Sequence, residues 1–132
     1  MRLKSFSIGY GTMIFKALSD ESRVRILAQL YHNKELCISD LEHVLGFTQS
    51  KTSRHLIYLK NSGMVGYRKF NNWVLYFIVD EVYDMLSQIF GYLNKDQILL
   101  NDLETYKILY SNRELVRYKL DNQKWSTNQV LK

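Results

Sequence analysis

Apolar residues recur at intervals of three and four along most of the chain, and this period predicts a mainly helical protein. In the first such stretch, over about residues 6–18, Phe6, Tyr10, Ile14 and Ala17 share one helical face. Comparable stripes predict three further long helices. The stripe of the second helix is Val24, Leu27, Leu30 and Tyr31, and that of the fifth is Val82, Leu86, Ile89, Phe90 and Leu93. The stripe of the sixth is Leu99, Leu103, Tyr106 and Tyr110.

Two shorter helices are predicted between these stripes from their capping residues. Ser39 followed three residues later by Glu42 is a capping-box pattern, which predicts that the third helix begins at Ser39. Gly46 is expected to end that helix in the left-handed conformation, and Thr48 to cap a fourth helix over about 49–61. By the same reasoning, the Ser19–Asp20 pair is expected to cap the second helix and Asp80 the fifth.

Two strand-like runs follow the fourth helix, over 65–70 and 73–79. The second run is rich in aromatic and β-branched residues, which are typical of strands. Asn71 and Asn72 separate the runs, and asparagine tolerates the positive φ of a tight hairpin turn. The predicted fold is therefore mainly α with a small β-hairpin, in the order α-α-α-α-β-β-α-α.

The fourth helix has two chemically different faces. Thr52, Leu56 and Leu59 form an apolar row that is expected to face the core. The opposite face carries short hydroxyl side chains, one amide and one guanidinium, namely Gln49, Ser50, Ser53 and Arg54. A helix that enters the major groove of DNA needs small residues for close approach and Gln or Arg for base edges. Together, the third and fourth helices predict a helix-turn-helix over about 39–62, and the hairpin over 65–79 predicts a wing.

The charge distribution supports this interpretation. The net charge of +5 arises between His43 and Val79, a window with five basic residues and no acidic residue, while the rest of the chain is balanced. Such a segment attracts polyanions through counterion release. The candidate DNA contacts are Thr48, Gln49, Ser50, Lys51, Ser53, Arg54, His55, Ile57, Lys60, Arg68 and Lys69. For His55 two roles remain open: a hydrogen bond to a phosphate, or to a backbone group at the edge of the core.

Between Phe15 and Glu81, about half of the chain, several motifs occur in the order and spacing of a known family. They are KALSDESRVRIL (16–27), ELCISDL (35–41), QSKTSRHL (49–56), GMV (63–65) and WVLY (73–76). In these motifs the chain resembles the arsenic-repressor (ArsR) family of winged-helix transcriptional regulators. The resemblance implies a repressor that acts as a homodimer through its first and fifth helices. It also implies two recognition helices that bind a pseudo-palindromic operator in double-stranded DNA.

A dimer is also expected from the amount of apolar surface on the first, fifth and sixth helices, which exceeds what one small winged core needs. The alternative is that the sixth helix folds back on its own protomer. We expect one domain over 1–112, with dimerisation helices over about 6–18 and 80–112, and a partly ordered extension over 113–132 in which Trp125 docks. The candidate interface residues are Phe6, Tyr10, Met13, Leu86, Ile89, Phe90 and Leu93.

Metal-sensing members of the family place a Cys-x-Cys pair at the start of the third helix. Here Cys37 holds the first position of the pair, but Ser39 holds the second, and Cys37 is the sole cysteine of the chain. One thiolate does not make a stable site for a soft metal, so Cys37 is a candidate ligand only, and no cofactor is expected. His32, Cys37 and His43 match no zinc spacing. A metal- or thiol-responsive repressor that uses Cys37 remains an alternative. The small-molecule effector is unknown: a pocket between the aromatic-rich helices and a constitutive repressor without an effector are both left open.

Other function classes leave weaker signals. A winged helix used as a protein-interaction module is the main alternative, although aromatic anchors are more typical of docking faces than the Gln49–Ser50–Ser53 set. No glycine-rich phosphate loop or matched nucleophile and base points to an enzyme. No apolar run approaches the roughly 20 residues of a membrane span, and the N-terminus lacks a signal peptide, so a cytoplasmic protein is expected.

Overall fold

The computed structural model describes residues 5–122 and has the predicted order of elements. Six helices and one hairpin are present: α1 (Ile8–Leu18), α2 (Glu21–Asn33), α3 (Ile38–Leu45), α4 (Gln49–Asn61), β1 (Val65–Phe70), β2 (Trp73–Ile78), α5 (Asp80–Tyr92) and α6 (Gln97–Ser111). A further helical stretch covers residues 116–122. We refer to residues 115–122 as the C-terminal segment. No helix within residues 5–122 is long and apolar enough to span a bilayer.

The core lies around α2, which is buried along most of its length. Residues 26–30 of α2 are all buried, and α1, α3, α4, α5, α6 and β2 pack around this helix. Burying one side chain such as Leu or Ile is worth about 1.5–3 kcal/mol. The buried residues of α2 therefore stabilise the packing of all the elements around it. The fully buried residues with the largest side chains are Ile14, Ile26, Leu27, Leu30, Leu36, Leu41, Leu56, Leu59, Met64, Leu75, Leu86 and Leu115.

The hairpin is antiparallel, and its register pairs Val65 with Ile78 and Phe70 with Trp73. The two-residue turn is formed by Asn71, which has φ 55°, and Asn72, as the sequence predicts. Leu36 adds an isolated bridge to Tyr76, with backbone N–H···O distances of 2.9 and 3.2 Å. This bridge fixes the base of the hairpin to the chain between α2 and α3.

Most of the predicted caps are confirmed. The Asp20 and Thr48 side chains accept hydrogen bonds from the amides of Arg23 and Lys51, and Gly46 is left-handed with φ 71°. Asp80 is not a cap, because Val79 holds that position and Asp80 is the first residue of α5.

The predicted capping box of the third helix is wrong. The cap is Cys37, in extended conformation and without a side-chain hydrogen bond, and α3 begins at Ile38. The Ser39 hydroxyl lies 3.3 Å from the Cys37 sulfur instead of capping the helix. The carboxylate of Asp40, the next residue, accepts hydrogen bonds from the C-terminal segment.

The sixth helix folds back on its own protomer. The carboxylate of Asp102 on α6 accepts two hydrogen bonds of 2.9 Å from the Arg25 guanidinium on α2. A bidentate pair of this kind fixes the relative orientation of the two helices. Leu99, Tyr106, Leu109 and Tyr110 of α6 are partly buried against the core of the same protomer, which was the alternative to a dimer role for the sixth helix.

Two of the predicted interface residues are wrong for the same reason. Leu86 is 0% exposed and Phe90 is 5% exposed, so both belong to the core of the protomer. Phe6, Tyr10, Ile89 and Leu93 are half-buried against that core, and only Met13 of the predicted set is exposed. The helical period identifies an apolar stripe, but it does not show whether the stripe faces its own core or a partner.

The extension after α6 is ordered over residues 113–122 and is packed against the core. Leu115, Val116 and Leu120 are buried, and residues 121 and 122 are helical. The expected docking of Trp125 lies outside the described residues.

Candidate nucleic-acid interface

The inner row of α4 anchors the helix in the core. Thr52, Leu56 and Leu59 are buried, and the Thr52 hydroxyl donates to the carbonyl of Thr48 at 2.8 Å. The side chain of Thr48 in turn accepts from the amide of Lys51 at 3.2 Å, so the first turn of α4 is capped. The apolar row fixes the rotation of the helix and leaves its opposite face to solvent.

That opposite face contains the residues expected from the sequence. Gln49, Ser50 and Arg54 are exposed, Ser53 is partly exposed, and Ile57 is exposed on the next turn. Within residues 5–122, no hydrogen bond or salt bridge engages the Gln49, Ser50, Ser53 or Arg54 side chains. This outer face of α4 therefore presents donors and acceptors that have no internal partner.

His55 lies on a different side of α4, between the outer face and the core. It is only 7% exposed, and its Nδ1 lies 3.5 Å from a guanidinium nitrogen of Arg23. Burial lowers the pKa of His55, and since Arg23 can only donate, a neutral ring that accepts at Nδ1 fits this contact. The partner of His55 is thus the Arg23 side chain and not the backbone group expected for an internal role, and its burial leaves little of the ring accessible to a phosphate.

Arg23 links three helices at this point, which the sequence did not reveal. Its guanidinium donates to the carbonyls of Ala17 at 2.9 Å and Lys16 at 3.2 Å, at the end of α1. It also stacks on the ring of Tyr58 in α4, 4.0 Å from the ring centroid. The cation–π contact with Tyr58 and the charge-assisted hydrogen bonds to α1 fix the position of α4 relative to α1 and α2.

The basic side chains at the two ends of α4 pack on aromatic rings. The ammonium of Lys51 lies 4.1 Å from the ring centroid of Phe47, and that of Lys60 lies 5.3 Å from the ring centroid of Tyr67. Lysine stems bury their methylenes in this way and keep the charge in water. Tyr67 is exposed on β1 and was not among the predicted contacts, because a tyrosine in a strand has no distinctive sequence signal.

The two basic residues of the wing have different environments. Arg68 forms a bidentate salt bridge with Glu35, which comes from the loop before α3, and the second contact measures 2.8 Å. This hydrogen bond and charge lower the pKa of Glu35. Lys69 is exposed, and within residues 5–122 no hydrogen bond or salt bridge engages it. Residues 43–79 contain no acidic residue, but in the folded protein an acidic side chain from outside this window, Glu35, lies next to Arg68.

The candidate metal ligands do not come together. Cys37 is buried, and this burial raises the pKa of its thiol, so the thiolate that binds soft metals is disfavoured. His32 and His43 are exposed, and His43 bonds instead to the backbone carbonyl of Ser39 at 2.8 Å. Among the described residues, no three His, Cys, Asp or Glu side chains are grouped as a metal site.

Comparisons with known proteins agree with this geometry. A sequence model of the bacterial regulatory protein, arsR family, matches residues 20–67, which contain α2, α3, α4 and the start of β1. The chain is 37% identical over 70 residues to the arsenic resistance transcriptional regulator ArsR1 of Pseudomonas putida, covering 53% of this chain and 55% of ArsR1. It therefore spans less than two thirds of that relative.

Two other relatives are covered more completely. ArsR2 of Pseudomonas putida, also an arsenic resistance transcriptional regulator, is 39% identical over 78 residues, covering 56% of this chain and 68% of ArsR2. The crystal structure of the transcriptional regulator HlyU from Vibrio vulnificus superposes with a TM-score of 0.57 at 33% identity, covering 64% of this chain and 88% of HlyU. The helices, the turn at Gly46 and the hairpin, together with these relatives, show that the chain belongs to the ArsR family of bacterial regulatory proteins.

Proposed function

We propose that the protein is a sequence-specific regulator of transcription that binds double-stranded DNA as a homodimer. In each protomer α4 lies in the major groove, and the β1–β2 hairpin acts as the wing on flanking DNA. The observation that carries the proposal is the outer face of α4, where Gln49, Ser50, Ser53 and Arg54 have no partner inside the described protein.

The chemistry of that face suits base edges and phosphates. Arg54 can form a bidentate pair with guanine, and Gln49 with adenine. Ser50 and Ser53 allow close approach and can donate to phosphates, while exposed Ile57 can contact a thymine methyl group. The capped N-terminus of α4 adds a partial positive charge for a phosphate.

The wing adds contacts that depend less on sequence. Lys69 is available to a phosphate or to the minor groove, and Lys60 lies at the end of α4 beside the wing residue Tyr67. Arg68 is held by Glu35, so its net contribution to phosphate binding is expected to be smaller than that of Lys69.

Dimerisation is supported by apolar side chains that the protomer leaves in solvent. Ile8 is 90% exposed, Phe15 is 69% exposed, and Met13 is also exposed, all three on α1. Tyr92 at the end of α5 is 89% exposed. A twofold axis that passes close to α1 buries these residues in an isologous interface and presents two copies of α4 to successive half-sites. This revises the interface residues but keeps α1 as the dimerisation helix.

The test is selection of bound sites from random duplexes with the full chain, followed by titration of the selected duplex at several salt concentrations. We expect an enriched pseudo-palindromic motif and two chains per duplex, measured by light scattering. The logarithm of affinity should fall with the logarithm of salt at a slope of roughly −0.9 per neutralised phosphate.

The same selection distinguishes the alternatives. Absence of any enriched motif would contradict the proposal and favour a module that docks an acidic protein. Addition of arsenite or cadmium should leave the complex intact, because Cys37 is buried and this burial raises the pKa of its thiol. Release of DNA by either ion would instead indicate a thiol-responsive regulator.

Action as a repressor is checked by placing the selected motif over a reporter promoter, whose output should fall when the protein is expressed.

A further inference from the structure

The C-terminal segment forms part of the hydrophobic support of the wing. Val116 and Leu120 are buried in a small apolar cluster with Cys37 and Leu75. Leu75 belongs to β2, and the half-buried rings of Phe70 and Trp73, which flank the hairpin turn, pack against the same cluster. An isolated two-stranded hairpin is at best marginally stable in water, so the wing depends on this cluster for a fixed position.

A buried carboxylate attaches the segment to the helix-turn-helix. The two oxygens of Asp40, on α3, accept from the amides of Val116 and Arg117, both at 2.8 Å. Asp40 is 1% exposed, and these two hydrogen bonds cap the first turn of the segment from outside it. The helix that follows is therefore oriented by α3.

A second connection runs from the segment to the charged residue of the wing. Arg117 reaches the backbone carbonyl of Glu35 with a guanidinium nitrogen at 3.5 Å. The side chain of Glu35 holds Arg68 on β1. The segment thus contacts the helix-turn-helix through Asp40, and it contacts the wing through the apolar cluster and Glu35. In the proposed complex these two parts must keep a fixed relative position, because both contact the same duplex.

We propose that the C-terminal segment positions the wing relative to α4, with Asp40 and Leu120 as its positioning residues, so that residues beyond α6 help determine which flanking DNA the protein accepts. This inference rests on the proposed function for its DNA consequence, but the mechanical part concerns the protein alone. A segment that only added to global stability would affect all elements together, whereas a positioning segment affects the wing selectively.

The first experiment measures native-state hydrogen exchange of the full chain without DNA, for Leu120→Ala and for the exposed neighbour Lys119→Ala as the matched control. We expect Leu120→Ala to accelerate exchange of the β1 and β2 amides by about tenfold or more relative to the amides of α2, because loss of the buried side chain opens the wing locally. Lys119→Ala should leave that ratio unchanged. Equal acceleration in the wing and in α2 would overturn the proposal.

Asp40→Asn is the second variant, in case Leu120→Ala fails to fold. It keeps the shape of the side chain but replaces one of the two acceptors by a donor, which opposes the amide of Val116 or Arg117. The same selective acceleration in the wing is expected, and protection of the wing equal to that of the unmodified protein would overturn the role of Asp40.

The second experiment uses the selected duplex in two lengths, with and without the base pairs that flank the two half-sites. The unmodified protein is expected to prefer the longer duplex, and either variant should lose most of that preference while still binding the half-sites. Loss of affinity for both duplexes by one common factor would contradict positioning. If the unmodified protein binds no duplex, the proposed function fails, whereas the exchange experiment still decides the inference.

Discussion

The outer face of α4 and the wing each carry an arginine, but only the arginine of α4 is free of an internal partner among the described residues. Arg54 on α4 makes no salt bridge within the described residues, whereas Arg68 on β1 is paired with Glu35. A free side chain exchanges water for a base or a phosphate, while a paired one must also weaken an existing bond. A count of charges along the sequence therefore overestimates the free positive charge of the wing, because Arg68 is opposed by Glu35 in the folded protein.

The supports of the two regions differ as well. The outer face of α4 is held by its own inner row and by Arg23, all within the segment that the family model matches. The wing is held by Leu36, Glu35 and the C-terminal segment, and the last of these lies far outside residues 20–67. We therefore expect substitutions on α4 to act directly on DNA contacts and substitutions around the wing to act through geometry.

The largest expected effect comes from removing the support of α4. Leu56 is fully buried in the inner row, so Leu56→Ala should lower the free energy of unfolding by about 2–5 kcal/mol, measured by urea denaturation. The neighbouring Ile57→Ala, on the exposed side, should change it by no more than about 0.5 kcal/mol. Equal effects of the two substitutions would mean that the rotation of α4 differs from that described.

Next in size is the loss of the free guanidinium. Arg54→Ala should weaken binding to the selected duplex by about 1–3 kcal/mol, or roughly 5- to 150-fold, and relax the preference at one base pair of each half-site. Fluorescence anisotropy with a labelled duplex measures the affinity. Lys107→Ala removes an exposed cation from α6 and should have little effect. If the two variants bind alike, Arg54 has no role in base recognition.

A smaller effect distinguishes the two cations of the wing. Lys69→Ala should weaken binding by about the same factor for all sequences and reduce the salt slope by roughly 0.9 for each phosphate that the protein no longer neutralises. Arg68→Ala should do less, because its charge is already opposed by Glu35. Glu35→Gln should release Arg68 and make the salt slope steeper. Weaker binding by Arg68→Ala than by Lys69→Ala would reverse the order of the two cations.

The smallest effect is the pH dependence of the wing salt bridge. The hydrogen bond and charge of Arg68 lower the pKa of Glu35 below its usual value of 4.5, so the folded state favours the ionised form. The resulting stability is present above that value and disappears as the pH falls through the lowered pKa. Both groups are partly exposed, so the contribution is about 0.2–1 kcal/mol at most.

The measurement compares the unfolding free energies of the unmodified protein and Glu35→Gln between neutral and acidic pH. The difference between the two proteins should shrink on acidification. A difference that stays constant with pH would show that the pair is not formed in solution.

Local signals in the chain were enough to predict the order of the elements and the faces of α4. Periodicity, the turn at Gly46 and the capping residues Asp20 and Thr48 each concern residues a few positions apart, and the helices and hairpin follow them closely. The outer face of α4 was predictable for the same reason, because a helix with one apolar row exposes its other side.

Partners that lie far apart along the chain became known only from the packing of the folded protein. Asp40 caps the C-terminal segment and not its own helix, Glu35 pairs with Arg68, and His55 turns toward Arg23. Leu86 and Phe90 face the protomer's own core and not a second copy. A carboxylate or an apolar stripe has the same local sequence signature whichever partner it finds, and the partner is chosen by how α2, α6 and the C-terminal segment pack together.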